Sequence, residues 1–518
     1  MPIDLPPDAP APVPAPAAAI VAPAQEAPTI FADSHGFHYA VTGNKFLAPE
    51  VVQAALESGA SPKEAIEALN SEYFKRGYFL TALGGEVNRQ LVSIKVLHGR
   101  ITEADMVPGL APYFSGIEDR DDLNRNTMIR KTLLAEFYAG REGMRPVVGF
   151  GKAEAVGGSK ITVTQEPIEG AKSWAAGVSF GNLGSRFSSR YVANAQGAVR
   201  PGGGLELSLG YTLGLPGLTD ASGGSQYQSG TAGASLVTPW GIYGVSYNGI
   251  KYTIGESAAP LYPEGDIDIT SATGVQLFYA DETTRLSVNE AFTHTDNVVN
   301  VFNRAFNLTS QHYDFITLGV TGNKQFSLFG QNANIGVALT GMQGLSPPRG
   351  TFLPIDLGSP DTRFAILQVN VNYQQALPAG YTFGASFNAQ WADSTVPQNQ
   401  QWILGGLGNL SAWLPAVVIG DMGTLGRVAV NSPSWSWEGV SVSGSAFVEA
   451  GLTRFHFTAP TIPVTRTLAD AGISITGSVS GGTSLTLAYA LPVYYRNIDR
   501  DLADAQRAQV FFSLTQSF

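Results

Sequence analysis

From about residue 172 to its end, the chain alternates apolar and polar residues in one segment after another. In "LELSLGYTL" (205–213) the odd-numbered positions are Leu or Tyr, and the even-numbered ones are Glu, Ser, Gly and Thr. The segments "LQVNVNYQ" (367–374) and "YTFGASFNAQW" (381–391) alternate in the same way. A period of two places successive side chains on opposite faces of a β-strand. This part of the chain is therefore predicted to be a large β-structure whose strands have one apolar and one polar face.

Alternation alone fits either a soluble sandwich or a membrane barrel, because it does not say which face is inside. Three features favour the barrel. The segments reach roughly ten residues, as tilted spanning strands require, and tight turns alternate with long polar loops. Aromatic residues also fall near the predicted strand ends, where interfacial girdles form: Trp174, Tyr211, Trp240, Tyr381, Trp391 and Tyr494. No stretch approaches the ~20 apolar residues of a spanning helix, so we expect a transmembrane antiparallel β-barrel.

Dividing this region at its turns predicts about sixteen strands, an even number that closes an antiparallel barrel. The predicted strands begin near residues 173, 189, 204, 228, 241, 266, 283, 312, 329, 363, 381, 421, 438, 467, 483 and 508. The chain ends in "AQVFFSLTQSF", an alternation that continues to Phe518. A terminal strand of this kind should be paired, and its natural partner is the first strand, near "SWAAGVSFGN", so that no edge is left in lipid.

The sequence before the barrel divides into three parts. Residues 1–28 are rich in Pro and Ala and are predicted to be a disordered linker. The pattern of 29–108 is β-α-α-β-β, with Pro49 and Pro62 near the predicted helix starts, and 109–168 form a second, shorter α+β module. The barrel then occupies 169–518. Because the N-terminus has neither the basic nor the apolar region of a signal peptide, we expect a mature sequence or one that lacks its native leader.

Composition and motifs argue against several function classes. The chain has no cysteine, which removes disulfides and thiolate metal sites, and its net charge of −11 disfavours nucleic acid as a partner. "GVSFG" (177–181) matches a serine hydrolase pattern, but Ser179 lies within a predicted strand rather than at a strand-to-helix elbow. The six histidines lack metal-ligand spacing apart from a possible pair at His35 and His38, which has no third ligand nearby. The Gly-rich stretches lack the Lys of a phosphate loop. We expect no enzyme activity, no cofactor and no metal.

One predicted loop is unusual. "VPQNQQWILGGLGNLSAWLPAVVIGDMG" (396–423) follows the eleventh strand and is both Gly-rich and strongly apolar. Its large apolar side chains would be a poor fit to a solvated loop. A barrel of this size has a lumen wider than its own side chains can fill. The loop is therefore predicted to fold into the lumen.

The order of these parts resembles the outer-membrane transporters of two-partner (type V) secretion, the TpsB family. The resemblance covers about 36–518 and is carried by "EYFKRGYFLTA" in the first module, "ILGG" and "GDMG" at the ends of the loop, "SGSAFVEAG", "LTLAYALPV" and the final "FFSLTQSF". It implies two periplasmic POTRA modules and a barrel of about sixteen strands, which agrees with the strand count above. It also implies export of one large, unfolded adhesin- or haemolysin-like protein with β-helical character to the cell surface, without nucleotide hydrolysis.

The resemblance also assigns candidate site residues. The loop tip falls on Leu410, Ser411, Ala412, Trp413 and Leu414, the loop frame on Gly405, Gly406, Gly420, Asp421 and Gly423, and the barrel-wall partner of the tip on Glu449. The POTRA motif falls on Tyr73, Gly77 and Tyr78, and the C-terminal barrel signal on Phe512, Leu514 and Phe518.

The tip departs from the family pattern, which usually reads Val-Arg-Gly-Tyr or Phe. Ser411 stands where the arginine is expected, and Glu449 stands in place of the usual aspartate partner. Glu449 must then find another partner, face water or be protonated. The apolar residues of the tip, Leu410, Trp413 and Leu414, offer docking on the inner wall as a substitute.

The implied partners are a secreted TpsA-like protein bound through the POTRA modules, outer-membrane lipid, and the barrel assembly machinery that reads the C-terminal strand. Two alternatives stay open at this point. A related assembly insertase would fold other barrels into the membrane, and usually carries more POTRA modules. A passive channel for small solutes would leave the soluble modules without a role.

Overall fold

A computed structural model describes residues 28–155, 158–185, 189–218, 226–255, 260–346, 360–458, 463–508 and 510–518.

The first α+β module has its apolar core between two helices and a four-stranded sheet. The module contains β1 (Ile30–Ser34), β2 (Phe37–Thr42), α1 (Pro49–Glu57), α2 (Pro62–Lys75), β3 (Thr81–Asn88) and β4 (Leu91–His98). The sheet order is β1-β2-β4-β3, with β2 and β4 parallel. The linker prediction for 1–28 lies outside the described residues, apart from Pro28.

Local sequence explains the helix starts of this module. Each helix begins at a proline, whose fixed φ suits the first helical position. The Ser61 hydroxyl accepts a hydrogen bond from the Glu64 N–H at 3.3 Å and so caps α2. Buried side chains from both helices and the sheet, such as Leu69 and Val41, then form one core. The helix starts that the sequence predicted at Pro49 and Pro62 are confirmed.

The second module has a three-stranded sheet and one long helix. It contains β5 (Arg100–Met106), α3 (Arg125–Arg141), β6 (Met144–Lys152) and β7 (Gly158–Pro167), and its sheet order is β5-β7-β6. Because β5 pairs with β7, the assignment of 100–108 to the first module does not match the pairing. The β-α-α-β-β pattern predicted for 29–108 allows one strand after β3, whereas the chain forms two, β4 and β5, in different sheets. The chain instead passes from one sheet to the next at Gly99, where a Cβ atom would lie 2.7 Å from the Leu80 carbonyl oxygen.

The rest of the described chain forms a closed antiparallel barrel. Its strands are β8 (Trp174–Gly181), β9 (Val192–Gly202), β10 (Leu205–Gly214), β11 (Gln226–Thr238), β12 (Gly241–Thr253), β13 (Glu264–Ala280), β14 (Thr284–Val301), β15 (Phe306–Leu328), β16 (Gln331–Gly344), β17 (Ala365–Ala376), β18 (Thr382–Ala392), β21 (Met422–Asn431) with β22 (Trp435–Trp437), β23 (Val440–Arg454), β24 (Thr465–Val479), β25 (Thr483–Arg496) and β26 (Phe511–Ser517). The short β19 (Trp402–Leu404) and β20 (Val418–Gly420) lie outside the barrel sheet.

The barrel has 16 strands, as the sequence predicted, when β21 and β22 are counted as one interrupted strand. Both pair with β23, so they follow the same path along its edge. The predicted strand starts agree with the observed ones to within a few residues. The largest difference is at β15, which begins at Phe306 rather than near 312.

The two faces of the barrel wall differ in polarity. Apolar side chains such as Leu209 and Leu318 are exposed on the outer face, at 69% and 62% of their surface. On the inner face polar side chains pair across strands: the Asn289 amide donates to the Thr321 hydroxyl at 2.7 Å. This arrangement confirms the transmembrane barrel over the soluble sandwich. None of the helices in the described ranges is long and apolar enough to span a membrane.

The first and last strands close the barrel. β26 pairs with β8 from Ser513–Gly181 to Ser517–Gly177, and the Phe518 N–H donates to the Ala176 carbonyl at 2.9 Å. The predicted pairing of the chain's end with the first strand is therefore confirmed. Beyond the last ladder pair, the buried Asn182 side chain donates to the Val510 carbonyl at 2.6 Å and accepts from the Phe512 N–H at 2.7 Å.

Candidate functional site in the barrel lumen

The segment between β18 and β21 folds back into the barrel as a small hairpin. Its strands β19 and β20 pair antiparallel, with Trp402 opposite Gly420 and Leu404 opposite Val418. The wall residues that it contacts, such as Phe447, lie on the face opposite the exposed Val448. Because alternate residues of a strand point to opposite faces, the hairpin lies in the lumen. We call residues 396–421 the lumen loop.

Asp421 anchors the base of the lumen loop. Its buried carboxylate accepts hydrogen bonds from the Val396 N–H at 3.0 Å and the His456 N–H at 2.8 Å, which joins both ends of the loop to the end of β23. Its carbonyl also accepts from the Gln390 amide at 3.0 Å. The adjacent wall residue, Gly423, leaves room for the ring of Trp402, which a Cβ atom would approach to 2.0 Å. The base is thus fixed by charge-assisted hydrogen bonds and close packing.

The tip of the loop is a tight turn with positive φ angles. Gly405 and Gly406 both have φ of 106°, a conformation that suits glycine, and Leu410 has φ of 67°. The Gly406 N–H donates to the Trp413 carbonyl at 2.8 Å, and the Ser411 hydroxyl accepts from the Gly408 N–H at 2.9 Å. The left-handed residue turns the following main-chain N–H groups toward the wall, as in an anion-binding nest.

Apolar side chains of the tip are buried against the inner wall. Leu410 and Ala412 are fully buried and Trp413 is 1% exposed. They pack with each other and with residues of the lumen loop and of four strands, namely Leu404, Val417, Val418, Leu425, Ala429, Phe447, Leu468 and Ala490. Leu414 is half-buried and packs near Phe511. Burying one such large side chain contributes about 1.5–3 kcal/mol, so apolar contacts give the tip a substantial docking energy.

Three charged residues form a row across neighbouring strands under the tip. Arg427 on β21 lies directly opposite Glu449 on β23, which lies directly opposite Asp470 on β24. The Arg427 guanidinium donates to Glu449 Oε1 at 2.5 Å and stacks 4.4 Å from the centroid of the Phe447 ring. Both carboxylates are fully buried. We call Arg427, Glu449 and Asp470 the charged row.

The tip contacts this row through its main chain. The Ser411 N–H donates to Glu449 Oε2 at 2.7 Å, and the Ala412 N–H donates to Asp470 Oδ2 at 2.6 Å. A buried carboxylate needs such partners, because desolvation of an unpaired charge is costly. Among the alternatives that the sequence left open for Glu449, the structure shows new partners: an arginine of the wall and an amide of the tip. Ser411 therefore contributes its main chain where the family pattern has a guanidinium.

A second segment covers the tip from the other side. Residues 497–508, which follow β25 and include the short helix α4 (Arg500–Ala505), contact the tip through an antiparallel bridge at 506–508. The Leu414 N–H donates to the Gln506 carbonyl and the Ala508 N–H donates to the Ala412 carbonyl, each at 2.8 Å. Trp413 and Arg507 form the bridge between them. We call 497–508 the covering segment.

The candidate residues of the first module pack within the two α+β modules. Tyr73 is buried, its hydroxyl donates to Asn44 Oδ1, and burial raises its pKa. Tyr78 stacks on Phe46 with centroids 4.5 Å apart, and the Gly77 carbonyl accepts from the Arg125 N–H at 2.8 Å. These contacts give the three residues a packing role within the modules.

The three C-terminal signal residues lie on the strand that closes the barrel. Leu514 and Phe518 are exposed on its outer face. The Phe512 ring lies 5.5 Å from that of Phe180 on β8, across the closing pair of strands. Their exposure suits contact with lipid or with another protein, which stays a prediction.

Sequence reasoning missed Arg427, Asp470 and the covering segment. Arg427 and Asp470 occupy lumen-facing positions of β21 and β24, which counting in twos from the exposed Val428 and Ile473 could have found. The covering segment carries no such signal, since "DRDLADAQRA" (499–508) has the polar composition of an ordinary surface loop. In the described part of the chain, no cluster of His, Cys, Asp or Glu is arranged to hold a metal ion.

Known proteins share this architecture. The profile of the family described as haemolysin secretion/activation protein ShlB/FhaC/HecB matches residues 157–454, more than half of the chain. The heme/hemopexin transporter protein HuxB of Haemophilus influenzae is 21% identical over 466 residues, which cover 86% of this chain and 79% of that protein.

Two solved structures have the same fold over nearly the whole chain. CdiB from Escherichia coli superposes with a TM-score of 0.73 at 16% identity, covering 95% of this chain and 91% of that one. CdiB from Acinetobacter baumannii gives a TM-score of 0.69 at 13% identity, covering 96% and 91%. The barrel lies in the outer membrane and the N-terminal modules lie in the periplasm. The chain belongs to the haemolysin secretion/activation family ShlB/FhaC/HecB, and it exports a partner protein by two-partner secretion.

Proposed function

We propose that the chain exports one large, unfolded, TpsA-like partner with β-helical character, and that the lumen loop is the gate. The observation that carries this proposal is the docked tip, which is buried in the lumen but held only by non-covalent contacts. The base of the loop is fixed at Asp421, whereas the tip rests on the charged row and the covering segment. A loop anchored at its base and docked at its tip can swing aside without unfolding the barrel.

The proposed path begins at the two α+β modules, which act as POTRA domains. Exposed sheet edges can receive an extended chain by strand addition, and β3 is an edge of the first sheet. The pairing of β5 with β7 favours a boundary near Gly99 over the sequence estimate at 108. The unfolded partner is then passed into the lumen, where the tip leaves the wall.

The proposed transporter performs no catalysis of its own. Ser179 lies within β8 and not at a strand-to-helix elbow, which supports this reading of "GVSFG". Folding of the partner outside the cell supplies the driving free energy, so that nucleotide hydrolysis and cofactors are not required. The remaining proposed contacts are lipid on the outer face and the barrel assembly machinery at Leu514 and Phe518.

The test is selective export. Secretion of a large β-helical protein encoded beside this chain is scored by surface protease accessibility, with and without this protein, while other outer-membrane proteins are quantified. Loss of that single protein, restored by the wild-type chain, is the expected result. A general loss of outer-membrane barrels would establish an insertase instead. Unchanged export, together with a steady solute conductance that survives deletion of 29–168, would establish a passive channel.

A further inference from the structure

The contacts that hold the tip are independent of its polar side chains. Four hydrogen bonds join residues 411–414 to the wall and the covering segment, and in each the tip contributes a main-chain group: the N–H of 411, 412 and 414 and the carbonyl of 412. The Ser411 hydroxyl turns back into the loop and bonds the Gly408 N–H. The wall and the covering segment therefore hold the tip through its main chain and its apolar side chains.

An exported, unfolded polypeptide offers the same kinds of contact as the tip. An unfolded polypeptide offers N–H and C=O groups at every residue, and a β-forming polypeptide offers them along an extended edge. Gln506 and Ala508 of the covering segment bond the tip as one strand bonds its neighbour. Glu449 and Asp470 supply two acceptors that stay in place when the tip leaves, because they belong to wall strands.

We propose that the charged row and the covering segment form a lumenal binding site for the main chain of the exported polypeptide, and that the docked tip occupies this site as a pseudosubstrate. This inference rests on the proposed gating role of the loop and names the ligand of the same site. Tip and partner compete for one set of hydrogen bonds, so binding of the partner displaces the tip by mass action. The arriving chain then opens its own gate without any signal from outside the lumen.

A fluorescence assay on the full chain tests the displacement. The sequence contains no cysteine, so Arg507→Cys in the full-length protein takes a single bimane label, which Trp413 quenches by contact while the tip is docked. The probe is a short, lysine-flanked peptide of alternating threonine and valine. The control peptide has the same sequence with its main-chain nitrogens methylated, which removes the N–H donors and leaves the side chains. Trp413→Phe in the labelled protein sets the unquenched signal.

We expect saturable recovery of fluorescence with the unmethylated peptide, at a half-saturating concentration about ten-fold or more below that of the methylated one, since two hydrogen bonds to buried carboxyl groups are at stake. Equal effects of the two peptides, or no recovery with either, overturn the proposal.

A binding measurement without the tip provides an independent test. Residues 407–414 are replaced by a Gly-Ser linker, folding is checked by heat modifiability on gels, and binding of the fluorescein-labelled peptide is measured by anisotropy. The tipless protein should bind about ten-fold tighter than the full chain, because its site is vacant. Glu449→Ala with Asp470→Ala should remove this gain, while the distant lumen pair Asn289→Ala with Thr321→Ala should keep it.

Binding that the tip deletion does not strengthen, or that both double variants alter equally, overturns the inference. Export of the partner in cells is scored separately. Normal export together with failed peptide competition refutes the pseudosubstrate and leaves the transporter intact. If secretion of the partner is unchanged when the whole chain is removed, the proposed export function itself is refuted.

Discussion

The core of the first module and the docked tip of the lumen loop are both clusters of buried apolar side chains, but they are closed in different ways. In the module, Leu69 and Tyr73 pack against Val41 and Ile94, and helices cover the sheet. In the lumen, Leu410 and Trp413 pack against a wall that also presents a partly buried arginine and two buried carboxylates.

The difference shows how a tip can be docked stably in the lumen of a barrel and still be released from the wall. An apolar core without charged groups has no solvated alternative that is comparable in free energy, so it stays closed. Buried carboxylates gain hydration when the tip leaves, which offsets part of the apolar docking energy. Because Arg427 belongs to the wall, the ion pair with Glu449 also survives release. The lumen core is thereby suited to reversible docking.

The largest effect is expected from a covalent lock on the tip. Trp413 and Arg507 form a bridge pair whose hydrogen bonds flank it, and such pairs have Cα atoms about 4.5 Å apart, within reach of a disulfide. The covering segment is itself tied to the barrel by the Asn497 amide on the Thr465 carbonyl. Trp413→Cys with Arg507→Cys should abolish export when oxidised and recover it under reductant, as scored by surface proteolysis of the partner. Each single cysteine variant serves as control, and export by the oxidised double variant would show that the tip need not move.

A matched pair of leucines sharpens the comparison of the two cores. Leu69→Ala should destabilise the first module by about 2–5 kcal/mol, because it leaves a cavity in a closed core. Amide hydrogen exchange of β2 and β4 in the full chain measures this loss. Leu410→Ala removes the same atoms from the tip, and should leave barrel exchange near that of the wild type while increasing channel openings in planar bilayers. Similar global destabilisation by both variants would contradict the distinction.

A smaller effect is expected within the tip contacts themselves. Glu449→Gln keeps an acceptor but weakens the hydrogen bond that the Ser411 N–H donates to Oε2, and should raise the open probability by about ten-fold. Ser411→Ala keeps the main-chain N–H and loses only the bond to Gly408, which is worth about 1 kcal/mol. Single-channel recording of both variants compares their open probabilities. A larger effect from Ser411→Ala would show that the side chain, rather than the main chain, holds the tip.

The smallest effect is a pH dependence confined to the first module. His98 contacts the Gly43 carbonyl at 2.9 Å, and burial lowers its pKa below the ordinary value of 6.5. A lowered histidine pKa means that the unfolded chain binds the proton first. Module stability should therefore be full above about pH 6.5, fall as the pH drops below it, and level off beneath the folded pKa. Hydrogen exchange of β4 measures how module stability changes with pH, and His98→Gln should remove this pH dependence. If the pH dependence persists in this variant, another group causes it.

The sequence predicted the barrel well because its period is a direct record of geometry. Each wall strand has one face toward lipid and one toward water, so the side chains repeat this alternation and the turns divide it. The lumen loop was also predictable, since its apolar residues have no place in a solvated loop. The passage of the chain between sheets at Gly99 was not, because a single glycine between two apolar stretches is a weak turn signal.

The contacts of the tip could be predicted only in part. Apolar docking of Leu410 and Trp413 followed from composition, and Glu449 from the family pattern. The pairing of Glu449 with Arg427 depends on the register of β21 against β23, which a one-residue slip would destroy. The main-chain bonds of Ser411 and Ala412 depend on the φ angle of Leu410, for which a leucine gives no signal.

The closing pair of strands has a kinetic consequence. Neighbours such as β14 and β15 are joined by a short turn, whereas β8 and β26 are separated by nearly the whole barrel sequence. Bringing distant segments together costs the most loop entropy, and pairings of high contact order form slowly. The β8–β26 ladder should therefore be the last to form, and until then the wall is an open sheet with two unpaired edges. The Asn182 side chain, bound to Val510 and Phe512, then acts at the final step of folding, where it slows reopening of the completed ring.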